Sequence, residues 1–243
     1  MKKVAYVSNF YAIPPLKGAA VQTWTNEVAK RLWFYEPHTI CIDDEFLPLK
    51  EYRDGVYHHR IRLSKIYKRI FQKILGWDVY SYNDRVFNEV KKINPDFIVV
   101  VAFGQIIDKR LIDFMQGKIL NIHASILPEL RGSAPINWAI VNGLKKTGVS
   151  IMSIDVGLDT GDVLDIEETE ILESDNAETL YERLSKMGSK LIVKTINDFE
   201  NKYKNRVKQG DNFSYAPMIK KEMGKLNFND TSRNIFNKIR GFY

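Results

Sequence analysis

The stretch DFIVVVAFGQIIDKRLIDFMQGKILNIHAS, residues 96–125, decides the fold. It opens with a continuous apolar run at 96–104, passes through an amphipathic segment at 109–116, and ends with a further strand-like segment, KILNIHA, at 118–124. Continuous apolar runs of this kind are typical of strands buried on both faces of a parallel sheet. Two of them separated by an amphipathic helix predict a β-α-β unit with parallel strands.

The remainder of the chain shows the same alternation of β-rich runs and helical periodicity. The sequence therefore predicts an α/β fold with a doubly wound, mostly parallel, Rossmann-like sheet. The strands expected at 147–155 and 162–171 have too short a connection for a helix, so one of them is predicted to run antiparallel. Further strands are expected at 3–9, 38–43 and 56–63, and further helices from Val21 to Leu32, at 65–93, and from about Ala177.

Two helix starts carry capping signals. Ser133 precedes the segment APINWAIVNG and can cap that helix, with Pro135 tolerated in its first turn. Asp175, followed three residues later by Glu178, resembles a capping box for the long helix that begins near Ala177.

The pattern changes after about residue 205. The segment 213–228 predicts a β-hairpin that turns at Met223 and Gly224, and TSRNIFNKIRGFY predicts a terminal helix. We therefore expect two domains, a Rossmann-like domain at 1–204 and a small hairpin-and-helix extension at 205–243. The hairpin is either a dimer interface or a cap on the chain's own sheet.

The composition is that of an ordinary soluble globular protein, with 44% hydrophobic and 27% charged residues among 243. No apolar run approaches the roughly 20 residues of a membrane span, and the amino terminus lacks the features of a signal peptide. Cys41 is the only cysteine, which excludes a disulfide framework and favours a reducing, cytoplasmic location. The formal net charge of +6 suits RNA, membranes or phosphorylated small molecules, but a solvated helix face explains most of the basic cluster at 60–73.

Polar residues follow the predicted strands where they end. Asn121 and His123 lie on one face of the strand at 118–124 by alternation, and Asp159 lies in the glycine-flanked loop 157–162. In a doubly wound sheet, ligands bind at the carboxyl ends of the strands. An amide that donates to an oxyanion, an imidazole and a carboxylate together suit acyl transfer to an amine. Each of the three residues, taken singly, is more often structural.

Four blocks occur in order between residues 96 and 161: VVVAFGQII, NIHASILPELRGSAPINWAI, TGVSIMSID and GLDTGD. They resemble the folate-dependent formyltransferase family, which includes methionyl-tRNA, glycinamide-ribonucleotide and nucleotide-sugar N-formyltransferases. The resemblance implies that Asn121, His123 and Asp159 are catalytic. It also implies N10-formyltetrahydrofolate as the donor and no metal, with the donor held by two loops comprising Phe103, Gly104, Gln105, Ile106, Ile107, Val156, Gly157, Leu158 and Asp159.

Features outside these blocks suggest the acceptor. SNFYAIPPLKGAAVQTWTNEVAKRL resembles the amino-terminal domain of two-Rossmann-domain glycosyltransferases over about the first 90 residues, and the chain ends at Tyr243 without the further domain with which the tRNA enzymes grip tRNA. We therefore expect a dTDP-linked 4-amino-4,6-dideoxyhexose such as dTDP-4-amino-4,6-dideoxyglucose, used for O-antigen or other surface polysaccharide. No nucleic-acid or membrane partner is expected, and the protein is expected to be a homodimer. Arg131 is a candidate for the pyrophosphate, and Tyr215 and Tyr243 for the base.

Three alternatives stay open. One is a formyltransferase that acts on methionyl-tRNA or another amine. A second is a non-catalytic module that binds a nucleotide sugar. A third is a glycosyltransferase, which the missing second sugar-nucleotide domain disfavours. His58 and His59 have no further ligands at a spacing that would indicate a metal site.

Overall fold

A computed structural model describes residues 1–7, 28, 31, 35–42, 48–61, 78–100 and 107–242. The chain divides into two compact units, residues 1–121 and 122–243. Within the described ranges, the strands form a mostly parallel sheet of eight strands and a second sheet of two. The α/β fold class is therefore as predicted. The predicted division into domains at 1–204 and 205–243, and the dimer, stay predictions.

The first unit contains the parallel part of the sheet. Its elements are β1 (Lys3–Val7), β2 (Glu36–Ile42), β3 (Lys50–Arg53), β4 (Val56–Ile61), helix α1 (Asp78–Ile93), β5 (Phe97–Val100), α2 (Lys109–Met115) and β6 (Ile119–His123), whose last two residues belong to the second unit. The strand order is β3-β4-β2-β1-β5-β6, and all neighbours are parallel except β3 and β4. The predicted strand, helix and strand at 96–124 are confirmed.

The four residues of β5 are all buried, and those of β1 are buried except Lys3. This is the burial that a strand covered on both faces requires. Each fully buried apolar side chain, such as Ile98 or Leu120, stabilises the fold by roughly 1.5–3 kcal/mol relative to exposure. Burial also raises the pKa of the Tyr6 phenol well above its ordinary value.

The hairpin of β3 and β4 was not predicted. Asp54 and Gly55 join the two strands with φ angles of 52° and 82°. Positive φ at both central residues is the mark of the tight type I′ turn, whose twist matches that of the flanking strands. The sheet therefore has an antiparallel pair at this edge in addition to the pair predicted at 147–155 and 162–171.

The second unit carries the remaining elements. They are β7 (Arg131–Gly132), α3 (Pro135–Val141), β8 (Lys146–Ser153), β9 (Val163–Glu170), α4 (Ala177–Asn197), α5 (Phe199–Lys204), β10 (Tyr215–Ala216), a 3-10 turn (Lys221–Gly224) and α6 (Ser232–Gly241). Strands β8 and β9 pair antiparallel, as predicted. The helical spacing of Leu180, Leu184, Met187 and Leu191 predicts one buried face of α4. The three leucines are buried, and Met187 is half-buried.

Both capping predictions need correction. The residue that caps α3 is Ala134, without a side-chain hydrogen bond, so Ser133 does not cap it; Pro135 does occupy the first turn. Helix α4 begins with a capping box made by Asn176 and Thr179 rather than by Asp175 and Glu178.

Asp175 has a different task from the one predicted. Its carboxylate accepts hydrogen bonds from the Leu172 backbone N–H at 2.7 Å and from the Arg183 guanidinium at 2.6 Å. Burial alone would raise the pKa of this carboxyl, but these hydrogen bonds outweigh it and lower the pKa below the ordinary value. Asp175 therefore ties the turn before α4 to the second turn of that helix.

The predicted hairpin at 213–228 is wrong. Strand β10 pairs with β7 in parallel, with Tyr215 opposite Arg131 and Ala216 opposite Gly132. The predicted turn residues Met223 and Gly224 lie in the 3-10 turn instead. The predicted terminal helix is confirmed as α6, and the Asn137 side chain of α3 donates to the backbone oxygen of Gly241 at its end.

Some predicted elements lie outside the described residues. They are the helix from Val21 to Leu32, apart from the isolated described positions Val28 and Arg31, the first part of the helix at 65–93, and the last part of the strand at 96–104.

Candidate active site

Asn121 and His123 lie in β6, two residues apart, as the sequence predicts. Asn121 is half-buried and pairs with Val100 of β5, whereas His123 is buried. Side chains two apart on a strand share a face. The amide and the imidazole therefore leave the strand on the same side, next to its carboxyl end.

The His123 ring is fixed by one hydrogen bond. Its Nε2 lies 2.9 Å from the backbone oxygen of Leu130. A carbonyl oxygen only accepts, so Nε2 carries the proton of this bond, and Nδ1 of the neutral ring is an acceptor. Nδ1 lies 3.7 Å from Oδ2 of Asp159. The second ring nitrogen therefore faces the Asp159 carboxylate.

The loop between β6 and β7 presents the Leu130 oxygen. Leu130 adopts the left-handed conformation with φ 58°, and its N–H donates to the Ser214 hydroxyl at 2.8 Å. Earlier in the loop, the Ser150 hydroxyl donates to the Ser125 oxygen and accepts from the Leu127 N–H, at 2.7 and 3.0 Å. These bonds fix both ends of the loop, so the carbonyl that orients His123 cannot move independently.

Asp159 is the third predicted catalytic residue, and its carboxylate accepts a hydrogen bond from the Gly132 N–H at 2.9 Å. Its backbone is also left-handed, with φ 53°. Within its loop, Asp155 accepts from the Gly157 N–H and from the Thr160 hydroxyl, at 3.0 and 2.7 Å. The loop is thus internally bonded, and it brings Asp159 to His123 as predicted.

The residues predicted to hold the donor are only partly described. Phe103, Gly104, Gln105 and Ile106 lie outside the described residues. Ile107 is buried. In the Asp159 loop, Val156 is 64% exposed and Leu158 is 52% exposed, with Gly157 between them. Their role in binding the donor stays a prediction.

The three residues predicted to bind the acceptor differ in their surroundings. Arg131 is buried; its Nε donates to Oε1 of Gln209 at 2.9 Å, and its guanidinium lies 4.5 Å from the centre of the Phe213 ring. Tyr215 is half exposed in β10, and Tyr243 lies outside the described residues. Their binding roles stay predictions, and Arg131 holds neighbouring protein groups in this structure.

Sequence reasoning missed the groups that hold the predicted catalytic triad, which is Asn121, His123 and Asp159. Leu130 and Gly132 act through backbone atoms, which leave no trace in residue type. Gln209 donates from its side-chain nitrogen to the backbone oxygens of Asp159 and Gly161, at 2.9 and 2.7 Å. The residue lies far along the chain, in a segment with no periodicity to mark it.

Among the described residues, no group of three or more His, Cys, Asp or Glu side chains is placed to hold a metal ion. Within the same part of the chain, no helix combines the length and apolar character needed to cross a membrane.

Comparison with known proteins decides the family. The sequence profile described as formyl transferase matches residues 57–196. The chain belongs to the formyl transferase family. The methionyl-tRNA formyltransferase of Finegoldia magna is 48% identical over 172 residues, which cover 69% of this chain and 56% of that protein. The chain spans about half the length of the curated relatives it matches.

Solved structures of other proteins share the fold. The crystal structure of HypX from Aquifex aeolicus in complex with tetrahydrofolic acid superposes with a TM-score of 0.68 at 13% identity, covering 98% of this chain and 34% of that one. A 4-N formyltransferase from Francisella tularensis gives 0.65 at 19% identity, covering 99% and 87%. At these identities, both comparisons bear on the fold alone.

The predicted acceptor is wrong. Several relatives at 42–48% identity carry the name methionyl-tRNA formyltransferase, and none of these names refers to a sugar. The expectation of a dTDP-linked amino sugar for O-antigen or other surface polysaccharide is overturned by them. The expectation that no nucleic acid is a partner conflicts with the same name. The family match begins at residue 57, so the glycosyltransferase-like resemblance of the first 90 residues stays a prediction over residues 1–56.

Proposed function

We propose that this chain transfers a formyl group from N10-formyltetrahydrofolate to the amine of methionyl-tRNA. One observation carries the choice of acceptor: relatives that match the chain at 42–48% identity are methionyl-tRNA formyltransferases. Since the chain spans about half of their length, the activity, the donor and the acceptor are each part of the proposal.

The Asp159 loop supports a folate donor. The pterin of a folate is a flat ring system with apolar faces and hydrogen-bonding edges. Val156 and Leu158 offer exposed apolar side chains on either side of Gly157, and the loop backbone offers polar groups at the same place. Tetrahydrofolic acid is the ligand of the HypX structure that shares this fold.

The nucleophile in this reaction is the amine of the acceptor, so the protein needs no serine or cysteine nucleophile. The amine nitrogen forms a bond to the formyl carbon, and the bond from that carbon to N10 breaks. The amine loses a proton to the Asp159 carboxylate, and N10 gains one as it leaves. The protein's task is to hold the groups, accept the proton and stabilise the negative charge on the formyl oxygen.

The triad divides this work. The Asn121 side-chain N–H donates to the formyl oxygen as it becomes negative. His123, held at Nε2 by Leu130, has Nδ1 available beside Asp159, and its protonated form donates from that atom to the same oxygen. The Gly132 N–H orients the Asp159 carboxylate toward this site.

The test uses the purified chain with N10-formyltetrahydrofolate and methionyl-tRNA, with free methionine as a second acceptor. Formylmethionine released from the tRNA is measured by mass spectrometry. The Asp159→Asn variant is expected to lose about 10²–10⁴-fold in rate, the contribution of a positioned general base. Asp113→Asn, the same change at an exposed aspartate of α2, is the matched control and should retain full activity.

Two outcomes would count against the proposal. Formylation of neither acceptor would remove the assignment of methionyl-tRNA. Equal rates for wild type and Asp159→Asn would remove Asp159 from the catalytic group, even if formyl transfer occurs.

A further inference from the structure

Asp159 is held at its backbone as well as at its carboxylate. We infer that Gln209 is a positioning residue, whose side-chain amide sets the place of Asp159 for formyl transfer. This inference rests on the proposed function. Gln209 acts through Asp159 and has no assigned contact with substrate.

The contacts of Gln209 define which end of its amide faces which group. Nε of Arg131 can only donate, so the atom that it contacts at 2.9 Å is the amide oxygen of Gln209. The amide nitrogen therefore faces the other way, toward the Asp159 and Gly161 oxygens at 2.9 and 2.7 Å. Its two hydrogens match these two acceptors. No other neutral side chain of this length supplies one acceptor and two donors in this arrangement.

Asp159 needs such a restraint because its backbone is strained. Few non-glycine residues adopt a φ of 53°, and such a conformation persists only where its surroundings enforce it. Gln209 bonds the carbonyls on both sides of Thr160 and so clamps the turn that contains Asp159. The far end of the turn is fixed by packing, because a Cβ on Gly161 would lie only 1.7 Å from the Ser153 oxygen.

The contacts close a ring through β7. The Arg131 side chain holds Gln209, Gln209 holds the Asp159 backbone, and the N–H of Gly132 holds the Asp159 carboxylate. Arg131 and Gly132 are neighbours in sequence. A change at Gln209 therefore moves the Asp159 backbone relative to the Gly132 N–H, which β7 holds in place. The affected carboxylate oxygen is the one 3.7 Å from Nδ1 of His123.

Misplacement of a reacting group by about 1 Å can cost roughly 100-fold in rate. We expect Gln209→Glu and Gln209→Met to lower kcat about 10–100-fold. The KM values for donor and acceptor should stay within about threefold, because the inferred role of Gln209 is exerted on Asp159 and not on a substrate. Gln209→Glu keeps an acceptor for Arg131 but turns a carboxylate oxygen toward two carbonyls. Gln209→Met removes all three hydrogen bonds at similar length.

The two variants should differ in their pH dependence. At lower pH, the carboxyl of Gln209→Glu gains a proton that it can donate to one of the two carbonyls. Its loss of kcat relative to wild type should therefore shrink as the pH falls, whereas that of Gln209→Met should stay constant. Gln116→Glu, the same change at an exposed glutamine after α2, is the matched control. A loss caused by unfolding alone would appear in the circular dichroism signal at the same pH values.

A readout independent of activity separates this inference from the proposed function. The Gly132 amide donates to the Asp159 carboxylate, so its proton chemical shift and exchange rate report on that bond. Both should change in the two Gln209 variants and not in Gln116→Glu. If wild type shows no formyl transfer but the Gly132 amide responds, the proposed function fails and the positioning role stands.

Three results would overturn the inference. One is a Gly132 amide unchanged in both variants. A second is an unchanged kcat in both variants with an intact fold. A third is a loss of activity that only matches the unfolded fraction measured by circular dichroism.

Discussion

The Gly132→Ala substitution tests whether β7 and β10 hold the candidate site together. Gly132 has φ 115°, which L-residues rarely adopt, so alanine there costs about 1–3 kcal/mol in backbone strain. Its Cβ would lie 2.7 Å from the Ala216 oxygen. That oxygen accepts from the Ser133 and Ala134 N–H groups at 2.9 and 3.2 Å. Weakening bonds worth about 0.5–1.5 kcal/mol each brings the expected loss to about 2–4 kcal/mol.

Two glycines serve as matched controls. Gly55 has φ 82° with nothing within 4 Å of an added Cβ, so Gly55→Ala reports strain without a clash. Gly224 also has open space but no positive φ, so Gly224→Ala should stay within about 0.5 kcal/mol of wild type. Urea unfolding followed by circular dichroism gives the free energies, with linear extrapolation to water.

Amide hydrogen exchange locates the effect. The Arg131 and Ser133 amides donate to backbone oxygens of Ser214 and Ala216. They should exchange faster in Gly132→Ala and remain unchanged in Gly55→Ala. If Gly132→Ala cost no more than Gly55→Ala and left these amides protected, the contact with β10 would not matter to stability and the reasoning would be refuted.

Two further predictions concern buried titratable side chains, one in each unit. Burial, with the charge of Arg60 adding to it, lowers the pKa of His58 to about 4, so between pH 6.5 and 4 the unfolded chain binds a proton that the folded chain does not. Stability should therefore fall by about 2 kcal/mol between pH 7 and pH 5 through this group, and His58→Asn should remove that part of the fall. An equal loss of unfolding free energy between pH 7 and pH 5 in wild type and His58→Asn would contradict this prediction. Asp175→Ala should destabilise by about 2–4 kcal/mol, because it leaves the Leu172 N–H and the Arg183 guanidinium without their carboxylate. Its control is Asp113→Ala on the surface, and thermal unfolding of both variants to the same midpoint would contradict the assigned role.

Strands buried on both faces could be predicted from the sequence, because burial on both faces requires apolar residues. The run that became β5 is apolar throughout, and all four of its residues are buried. The run that became β6 departs from this pattern only at Asn121 and His123, the two residues that the sequence marks as candidates for chemistry.

The edge strand β3 could not be predicted from an apolar pattern. Its sequence KEYR is mostly exposed and follows no apolar pattern. The Asp54 and Gly55 turn was the available signal, since Asp-Gly is favoured where both residues need positive φ.

The segment 213–228 misled for a physical reason. Its apolar and aromatic residues suggest strands that pair with each other, but Phe213, Tyr215 and Met218 are at least half exposed. The true pairing is with β7, and the hydrogen bond from Leu130 to Ser214 joins residues 84 apart. Backbone pairing over two residues needs no particular side chains, so the pairing of β7 with β10 could not be predicted from the sequence of β7.

The candidate site also contains groups that the sequence could predict and groups that it could not. The roles proposed for Asn121, His123 and Asp159 depend on their own side chains, so their types and spacing marked them as candidates. The groups that orient them are mostly backbone atoms, such as the Leu130 oxygen and the Gly132 N–H. Their positions depend on the folded loops and become visible only in three dimensions.

The pairing of β7 with β10 also has a consequence for synthesis on the ribosome. His123 and Asp159 are translated well before Ser214, which accepts hydrogen bonds from the Leu130 and Arg131 N–H groups. A nascent chain that has reached α4 therefore carries Asn121, His123 and Asp159 before these two bonds can form. The end of the loop that presents the Leu130 oxygen becomes restrained only when the segment through β10 has emerged and folded back. Ribosome pausing before that point leaves this end of the loop unrestrained, although the bonds from Ser150 to the earlier part of the loop can already form.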